Sequence, residues 1–118
     1  MFLETLKDIV TRVEDVEGIL LMGIDGLPIE KFVRNESLNV EALSAEFTAV
    51  LRGTSQAAHE LEVGNIDEII IVSDKMILLT KSITSEYFLM LILPEGANLG
   101  RARFELKKAR YILEKEFV

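Results

Sequence analysis

The chain has 118 residues, enough for one domain with a hydrophobic core, and we expect residues 1–118 to form a single domain. Its formal net charge of −7 argues against a nucleic-acid-binding protein, because the phosphate backbone selects basic surfaces. Because the sequence contains no cysteine, it has no disulfide and no thiolate metal site. Its start shows no signal-peptide pattern, and no run of about 18 apolar residues could cross a membrane. We therefore expect a cytoplasmic protein without membrane insertion.

The first third of the chain predicts a helix followed by a hairpin. Apolar residues at helical spacing predict a first helix that ends near Glu14. An apolar strand follows over residues 18–24. The dipeptide Asp25-Gly26 then predicts a type I′ turn, with positive φ at both residues, into a half-polar return strand over residues 28–33.

A long second helix is predicted between Asn39 and Gly64. The Asn39 side chain can cap the first turn, and Gly64 can take the left-handed conformation that follows many helices. The buried stripe is predicted from apolar residues at helical spacing: Val40, Leu43, Phe47, Val50, Thr54, Ala57 and Leu61. The face away from this stripe carries small residues: Ala42, Ala45, Ala49, Gly53 and Ser55.

Three strands and a last helix complete the chain. The strands are predicted over residues 66–72, 76–80 and 86–93, with short connections between them. Asn98 is a candidate cap for the last helix. Its predicted buried stripe consists of Leu99, Ala102, Leu106, Ala109, Leu113 and Phe117.

Residues 87–93 are seven consecutive apolar residues and indicate how the sheet is arranged. Side chains of a strand alternate between two faces, so both faces of this strand need cover, and it belongs at the centre of the sheet. The half-polar strand 28–33 belongs at an edge, where its proline is tolerated. We predict an α/β (α+β) fold of element order α-β-β-α-β-β-β-α. It is an α/β/α sandwich with a five-stranded antiparallel sheet in the order 2-1-5-4-3.

Strand 66–72 lies at the other edge in this arrangement, although Ile69–Val72 are four consecutive large aliphatic residues. A bare apolar edge invites pairing with another chain, so we predict a homodimer in which this strand pairs with its copy across a two-fold axis. The alternative for the small residues of the second helix is that they pack only on their own sheet. The predicted interface residues are Ala42, Ala45, Ala49, Gly53, Ile66, Glu68, Ile70 and Val72.

The charge of the chain is unevenly distributed. Residues 97–118 contain 6 basic and 3 acidic side chains, whereas residues 1–96 contain 7 basic and 17 acidic ones. The basic segment is either a partner surface or a solvated helix face whose cations favour the helix C-terminus. We favour the second interpretation.

The chain shows no pattern typical of an enzyme. His59 is the only histidine, and without cysteine it cannot build the usual transition-metal site. Asp67 and Glu68 are neighbours on a predicted strand, so we expect them to point to opposite faces. Phosphate-binding glycine motifs are absent from the sequence. We expect no catalytic residue, metal or cofactor.

The second helix also offers a candidate partner-binding surface. Glu46, Arg52, Gln56 and His59 lie mostly off its apolar stripe, and their spacing predicts that they share one side of the helix. Arg52 has the chemistry of an arginine finger, but a surface ion pair with Glu46 or Glu60 is the simpler interpretation.

The sequence resembles the roadblock (dynein light chain-like) family. The resemblance rests on the element order and on the turn Asp25-Gly26-Leu27-Pro28-Ile29 into the second strand. The long alanine-bearing helix and the segment Pro94-Glu95-Gly96-Ala97-Asn98-Leu99-Gly100 before the last helix also fit. The order and spacing of these features across nearly the whole chain carry the resemblance.

The resemblance implies a fold similar to profilin and longin domains, and a homodimer with a continuous ten-stranded sheet. It further implies binding and regulation of a Ras-like small GTPase, or attachment to a motor. The compact acidic form resembles the prokaryotic type, whose GTPase controls cell polarity or motility. Two alternatives stay open, a dimeric scaffold or adaptor subunit without effect on nucleotide turnover and a small-ligand sensor with an internal cavity.

Overall fold

The computed structural model describes residues 2–117; Met1 and Val118, the ends of the predicted domain, lie outside the described residues. Helices and strands follow each other in the predicted order. They are α1 (Phe2–Arg12), β1 (Gly18–Gly23), β2 (Pro28–Val33), α2 (Val40–Glu60), β3 (Glu68–Val72), β4 (Met76–Ser82), β5 (Tyr87–Pro94) and α3 (Leu99–Glu114), followed by a turn of 3-10 helix (Lys115–Phe117).

The strands form one sheet in the order β2-β1-β5-β4-β3, and each neighbouring pair is antiparallel. The predicted fold class and strand order are therefore confirmed. β5 is buried on both faces: Leu89 and Leu91 pack towards α1 and α3, whereas Met90 and Ile92 pack towards α2. This two-sided burial produces the α/β/α sandwich, because each face of the central strand needs a helical layer.

The two predicted asparagine caps are confirmed. Asn39 Oδ1 accepts a hydrogen bond from the Ala42 N–H at 3.1 Å, and Asn98 Oδ1 accepts one from the Arg101 N–H at 3.0 Å. Each bond satisfies an amide that the first turn of a helix leaves without an intrahelical acceptor. The starts of α2 and α3 are thus determined locally by the sequence.

The hairpin between β1 and β2 differs from the predicted type I′ turn. Gly26 has a positive φ of 91°, but Asp25 does not, and a type I′ turn requires it at both residues. The Gly26 N–H donates to the Gly23 carbonyl, while the Asp25 carboxylate accepts from the Leu27 N–H. A Cβ at Gly23 would lie 2.5 Å from Asp25 Oδ1, so glycine there leaves room for this side chain.

The C-terminus of α2 also differs from the prediction. The helix ends at Glu60, and the left-handed residue that follows it is Glu62, with a φ of 56°, rather than Gly64. The amides of Glu62 and Val63 donate to carbonyls in the last turn of α2, which closes a Schellman motif. Gly64, with a φ of 98°, turns the chain again two residues later.

The buried face of α2 is displaced from the predicted stripe. Val50, Ala57 and Leu61 belong to that stripe, but all three are exposed. The buried residues of this helix are Val40, Ser44, Thr48, Leu51 and Ala58. Leu43 and Phe47 of the predicted stripe are partly buried against the core, so the prediction holds for the first half of the helix and fails towards its C-terminus.

Glu62→Gly is expected to raise the free energy of unfolding by about 1 kcal/mol, because a residue with a Cβ is strained at positive φ and glycine is not. Gly64→Ala is the matched control, since it places a Cβ in a similar backbone conformation, and it should lower stability. Urea unfolding measures both effects. A less stable Glu62→Gly protein would contradict the assignment of Glu62 as the left-handed residue.

Candidate interaction surface

β3 forms one edge of the sheet. It is hydrogen-bonded to β4, and no other strand within residues 2–117 pairs with its outer side. Ile70 and Val72 project on the face of α1 and α3, and 36% and 64% of their surfaces are exposed. An edge with unpaired backbone groups and apolar side chains is a template for another chain.

The other two predicted interface residues of this strand are less available. Ile66 precedes β3 instead of belonging to it, is partly buried against the α2 side of the core, and accepts a hydrogen bond from Ser82 Oγ at 2.8 Å. Glu68 accepts a hydrogen bond from Arg103 Nε at 2.7 Å. Ile70 and Val72 are therefore the free apolar positions of the predicted set.

The flank of α2 that faces β3 carries further exposed apolar side chains. The opposite flank is identified by Glu41, whose carboxylate pairs with Lys31 of β2 at 3.4 Å. At about 100° per residue, Val50 and Leu61 lie on the side of the helix away from Glu41. Both are exposed, as is Val63 just after the helix. Exposed apolar side chains therefore lie on the flank of α2 away from β2, on the face of the sheet opposite to Ile70 and Val72.

The predicted small-residue face of α2 points away from the sheet. Ala42, Ala45, Ala49 and Gly53 are all exposed, and a Cβ added to Gly53 would have no neighbour within 4 Å. At about 100° per residue, Ala42, Ala49 and Gly53 lie opposite the buried residues. Their role in an interface remains a prediction.

The predicted partner-binding residues Glu46, Arg52, Gln56 and His59 are exposed as well. Within residues 2–117, Arg52 forms neither of the ion pairs suggested for it, and Glu60 instead accepts a hydrogen bond from Gln56 Nε2 at 3.3 Å. Arg52 and His59, seven residues apart, lie on the flank of Glu41, whereas Glu46 lies on the other side of the helix. The prediction that the four residues share one side is therefore wrong for Glu46, because six residues of helix turn it far from Arg52.

A surface cleft of about 400 Å³ lies between the end of α2 and the loops before β3 and β5. His59 and Ser55 line it together with Tyr87 and Phe88. No side-chain hydrogen bond within the described part of the chain joins His59 to a serine or a carboxylate, so the cleft holds no assembled nucleophile and base.

Residues 2–117 contain neither a metal-binding cluster nor a membrane-spanning helix. No group of three or more His, Cys, Asp or Glu side chains in this range has a metal-binding arrangement. No helix in the same range has the length and apolar composition needed to span a bilayer.

A charged cluster joins α3 to the sheet beside β3. The buried Lys81 ammonium donates to the Asp67 carboxylate, which also accepts from the Arg110 guanidinium. The hydrogen bond from Lys81, together with the charges of Lys81 and Arg110, holds the pKa of Asp67 below its usual 3.8. The prediction that Asp67 and Glu68 point to opposite faces is wrong, because both carboxylates contact arginines of α3, Arg110 and Arg103. Asp67 precedes the strand, so strand alternation does not apply to it.

The sequence matches the protein family described as "Mitogen-activated protein kinase kinase 1 interacting" over residues 2–108. No curated protein shows a match to the sequence.

Several solved structures have a similar fold. The roadblock/LC7 domain from Streptomyces avermitilis has a TM-score of 0.85 at 14% identity, with 97% of this chain and 95% of that chain covered. Gliding protein MglB from Thermus thermophilus has a TM-score of 0.84 at 18% identity, with 96% and 85% covered. MglC from Myxococcus xanthus has a TM-score of 0.70 at 26% identity, with 98% of each chain covered. The resemblance to roadblock proteins is thereby confirmed at the level of the fold.

Asp67→Asn is expected to lower the free energy of unfolding near pH 7 by about 1 kcal/mol, because the buried Lys81 loses its carboxylate. Solvent screening of the half-exposed Asp67 keeps the loss small. Since folding lowers the pKa of Asp67 below 3.8, its contribution is complete above that unfolded-state value and is lost as the pH falls through the folded-state value. Denaturation curves should therefore converge for variant and wild type in strong acid.

The exposed pair Lys31–Glu41 provides the control for this experiment. Lys31→Gln removes the cation of this pair, but neither partner is buried, so we expect a much smaller loss. Equal losses in the two variants would show that burial of Lys81 does not matter.

Proposed function

This chain belongs to the family described as mitogen-activated protein kinase kinase 1 interacting and has the roadblock fold, and from this premise we propose that it is a homodimeric, cytoplasmic binding module that docks and regulates a Ras-like small GTPase. The observation that carries the proposal is the unpaired β3 edge with apolar side chains on both faces. The module is non-catalytic, and the partner supplies the nucleotide.

In the proposed dimer, β3 pairs antiparallel with β3 of a second copy across a two-fold axis. This pairing would satisfy the open backbone groups of the edge and cover Ile70 and Val72. The flank of α2 with Val50 and Leu61 would face the same flank of the second copy. Gly53 lies close to this flank and, with the predicted interface residues Ala42, Ala45 and Ala49, would let the two helices approach.

The two copies of α2 would form the docking platform for the GTPase. Their outward surfaces carry Glu46, Arg52, Gln56 and His59, which we propose as partner-binding residues. Three exposed residues between Glu46 and His59 are alanine or glycine, namely Ala49, Gly53 and Ala57, so few large side chains project from this part of the platform. The lack of an ion pair at Arg52 within the described residues leaves its guanidinium free to contact the partner.

Regulation would be indirect in this proposal. Small GTPases switch by ordering and releasing two loops around the nucleotide, and a rigid platform can favour one arrangement of these loops. The presence of a gliding protein and of MglC among the similar structures supports a place in cell polarity or motility machinery.

Ile70→Lys is expected to convert the dimer into a folded monomer of 13.3 kDa, because it places an unpaired charge in the β3 contact. Ile29→Lys is the matched control, since Ile29 lies in the other edge strand and exposes 39% of its surface, close to the 36% of Ile70. Sedimentation velocity measures the mass, and circular dichroism verifies folding. If the Ile70→Lys protein is still a dimer, the interface does not involve β3. If the wild-type protein is a monomer, the proposed homodimer is refuted.

Candidate Ras-like small GTPases are tested for binding to this chain and for a change in single-turnover GTP hydrolysis. We expect binding to prefer one nucleotide state and to change the hydrolysis or exchange rate. Arg52→Glu should weaken binding about tenfold, or about 1.4 kcal/mol, while Leu27→Glu on the exposed hairpin should have no effect. Binding without a change in rate would select the adaptor alternative, and no binding in either state would refute the proposed function.

A further inference from the structure

The outer face of α3 carries exposed aromatic side chains that the fold of the chain does not bury. Phe104 and Tyr111 expose 54% and 61% of their surfaces. The buried side of this helix consists of Ala102, Glu105, Leu106, Ala109 and Leu113. At about 100° and 1.5 Å per residue, Phe104 and Tyr111 lie roughly opposite that side and about 10 Å apart along the axis. Ile112, also exposed, lies beside Tyr111.

Three lysines lie on the same outer part of α3 as these two rings. Lys107 and Lys108 lie between the aromatic residues in the sequence, and Lys115 lies one turn after Tyr111. Lys108 Nζ is 5.3 Å from the centroid of the Phe104 ring. No carboxylate in the range 2–117 forms an ion pair with Lys107 or Lys115. Two of the three ammonium groups are therefore available to another molecule.

The carboxylates of α3 do not neutralise this face. Glu105 is buried and pairs with Arg12 and Arg101 at 3.9 and 3.4 Å, in addition to Lys108 at 3.5 Å. Glu114 pairs with the arginine four residues before it at 3.8 Å. The outer face of α3 is thus basic, although the protein as a whole has a net charge of −7.

We propose that this face binds an acidic amphipathic helix of a partner protein. The basic aromatic face is defined by Phe104, Lys107, Lys108, Tyr111, Ile112 and Lys115. Apolar residues of the partner helix would cover the two rings, which are spaced by two helical turns, and its Asp and Glu side chains would reach the lysines. This assigns a second docking surface on the face of the sheet opposite the α2 platform, and it does not depend on the proposed GTPase function.

Charge complementarity favours this occupant over a membrane or a second copy. An anionic bilayer is wider than α3, so it would also approach acidic residues elsewhere on the protein and be repelled by them. A single partner helix covers a strip only about 10 Å wide and avoids this repulsion. With a Debye length of about 8 Å, such a helix interacts mainly with the nearby lysines. Two copies of the basic aromatic face repel each other, so the symmetric contact with a second copy is disfavoured.

The test uses the full chain, labelled with ¹⁵N, and a synthetic amphipathic peptide of about five helical turns with leucine on one face and glutamate on the other. The comparison probes are the same peptide with lysine in place of glutamate, and vesicles of phosphatidylglycerol and phosphatidylcholine. We expect the acidic peptide alone to shift amide signals of α3, and we expect added salt to weaken its binding.

Variants locate the contact on α3. Two double variants should each weaken binding of the acidic peptide at least tenfold. One combines Phe104→Ala with Tyr111→Ala, and the other combines Lys107→Glu with Lys115→Glu. The matched control is Leu27→Ala combined with Lys75→Glu, which removes an exposed apolar group and a cation elsewhere and should leave binding unchanged. All these side chains are exposed, so the variants should fold.

Five results would overturn the proposal. The first four are no shift of α3 signals by the acidic peptide, equal binding of the lysine peptide, undiminished binding in the α3 variants, and binding to anionic vesicles in place of the peptide. The fifth is self-association that Phe104→Ala abolishes, because a second copy would then be the occupant. Loss of GTPase binding would leave each of these results unaffected.

Discussion

The architecture depends on the burial of β5 on both faces. A strand with apolar side chains on both sides needs a helical layer above and below and a strand on either side, so the least buried strands are pushed to the edges. The two edges are not equivalent. β2 contains Pro28, Glu30 and Lys31, which disfavour pairing with another strand. β3 instead carries the apolar side chains of Ile70 and Val72. This asymmetry explains why one edge, and not the other, is the candidate for contact with a second chain.

Ion pairs hold α3 against the sheet and also determine which of its charges remain free. Asp67 and Glu68, at the start of β3, take up Arg110 and Arg103, while the buried Glu105 faces α1. These contacts use arginines on the sides of the helix and leave lysines on its outer face. Asp67 and Glu68 therefore explain why the arginines of α3 lie on one side of the helix and its lysines on another. They also explain why an acidic protein has a basic face.

Strand order and helix starts were predictable because they depend on polarity and on local caps. The failures have separate causes. At the hairpin, the Asp25 side chain accepts the Leu27 amide, and only Gly26 has a positive φ. At the end of α2, the backbone amides of Glu62 and Val63 close the helix, with Glu62 in the left-handed conformation that the pattern favours at Gly64. On α2, tertiary packing keeps Val40, Leu43 and Phe47 of the predicted stripe against the core but leaves Val50 exposed, because the buried face of the helix also includes Leu51 and Ala58. The exposure that defines an interaction surface cannot be read from spacing alone.

The sheet separates two surfaces of different chemistry. α2 presents small and acidic residues on one face, and α3 presents aromatic and basic residues on the other. A two-fold axis through β3 would place both α2 helices on one side of the joined sheet and both α3 helices on the other. A single GTPase over the paired α2 helices would then contact a continuous platform. An acidic helix would instead meet two separate α3 sites. A partner with two such helices would gain avidity from dimerisation, and its affinity would then report the oligomeric state of this protein.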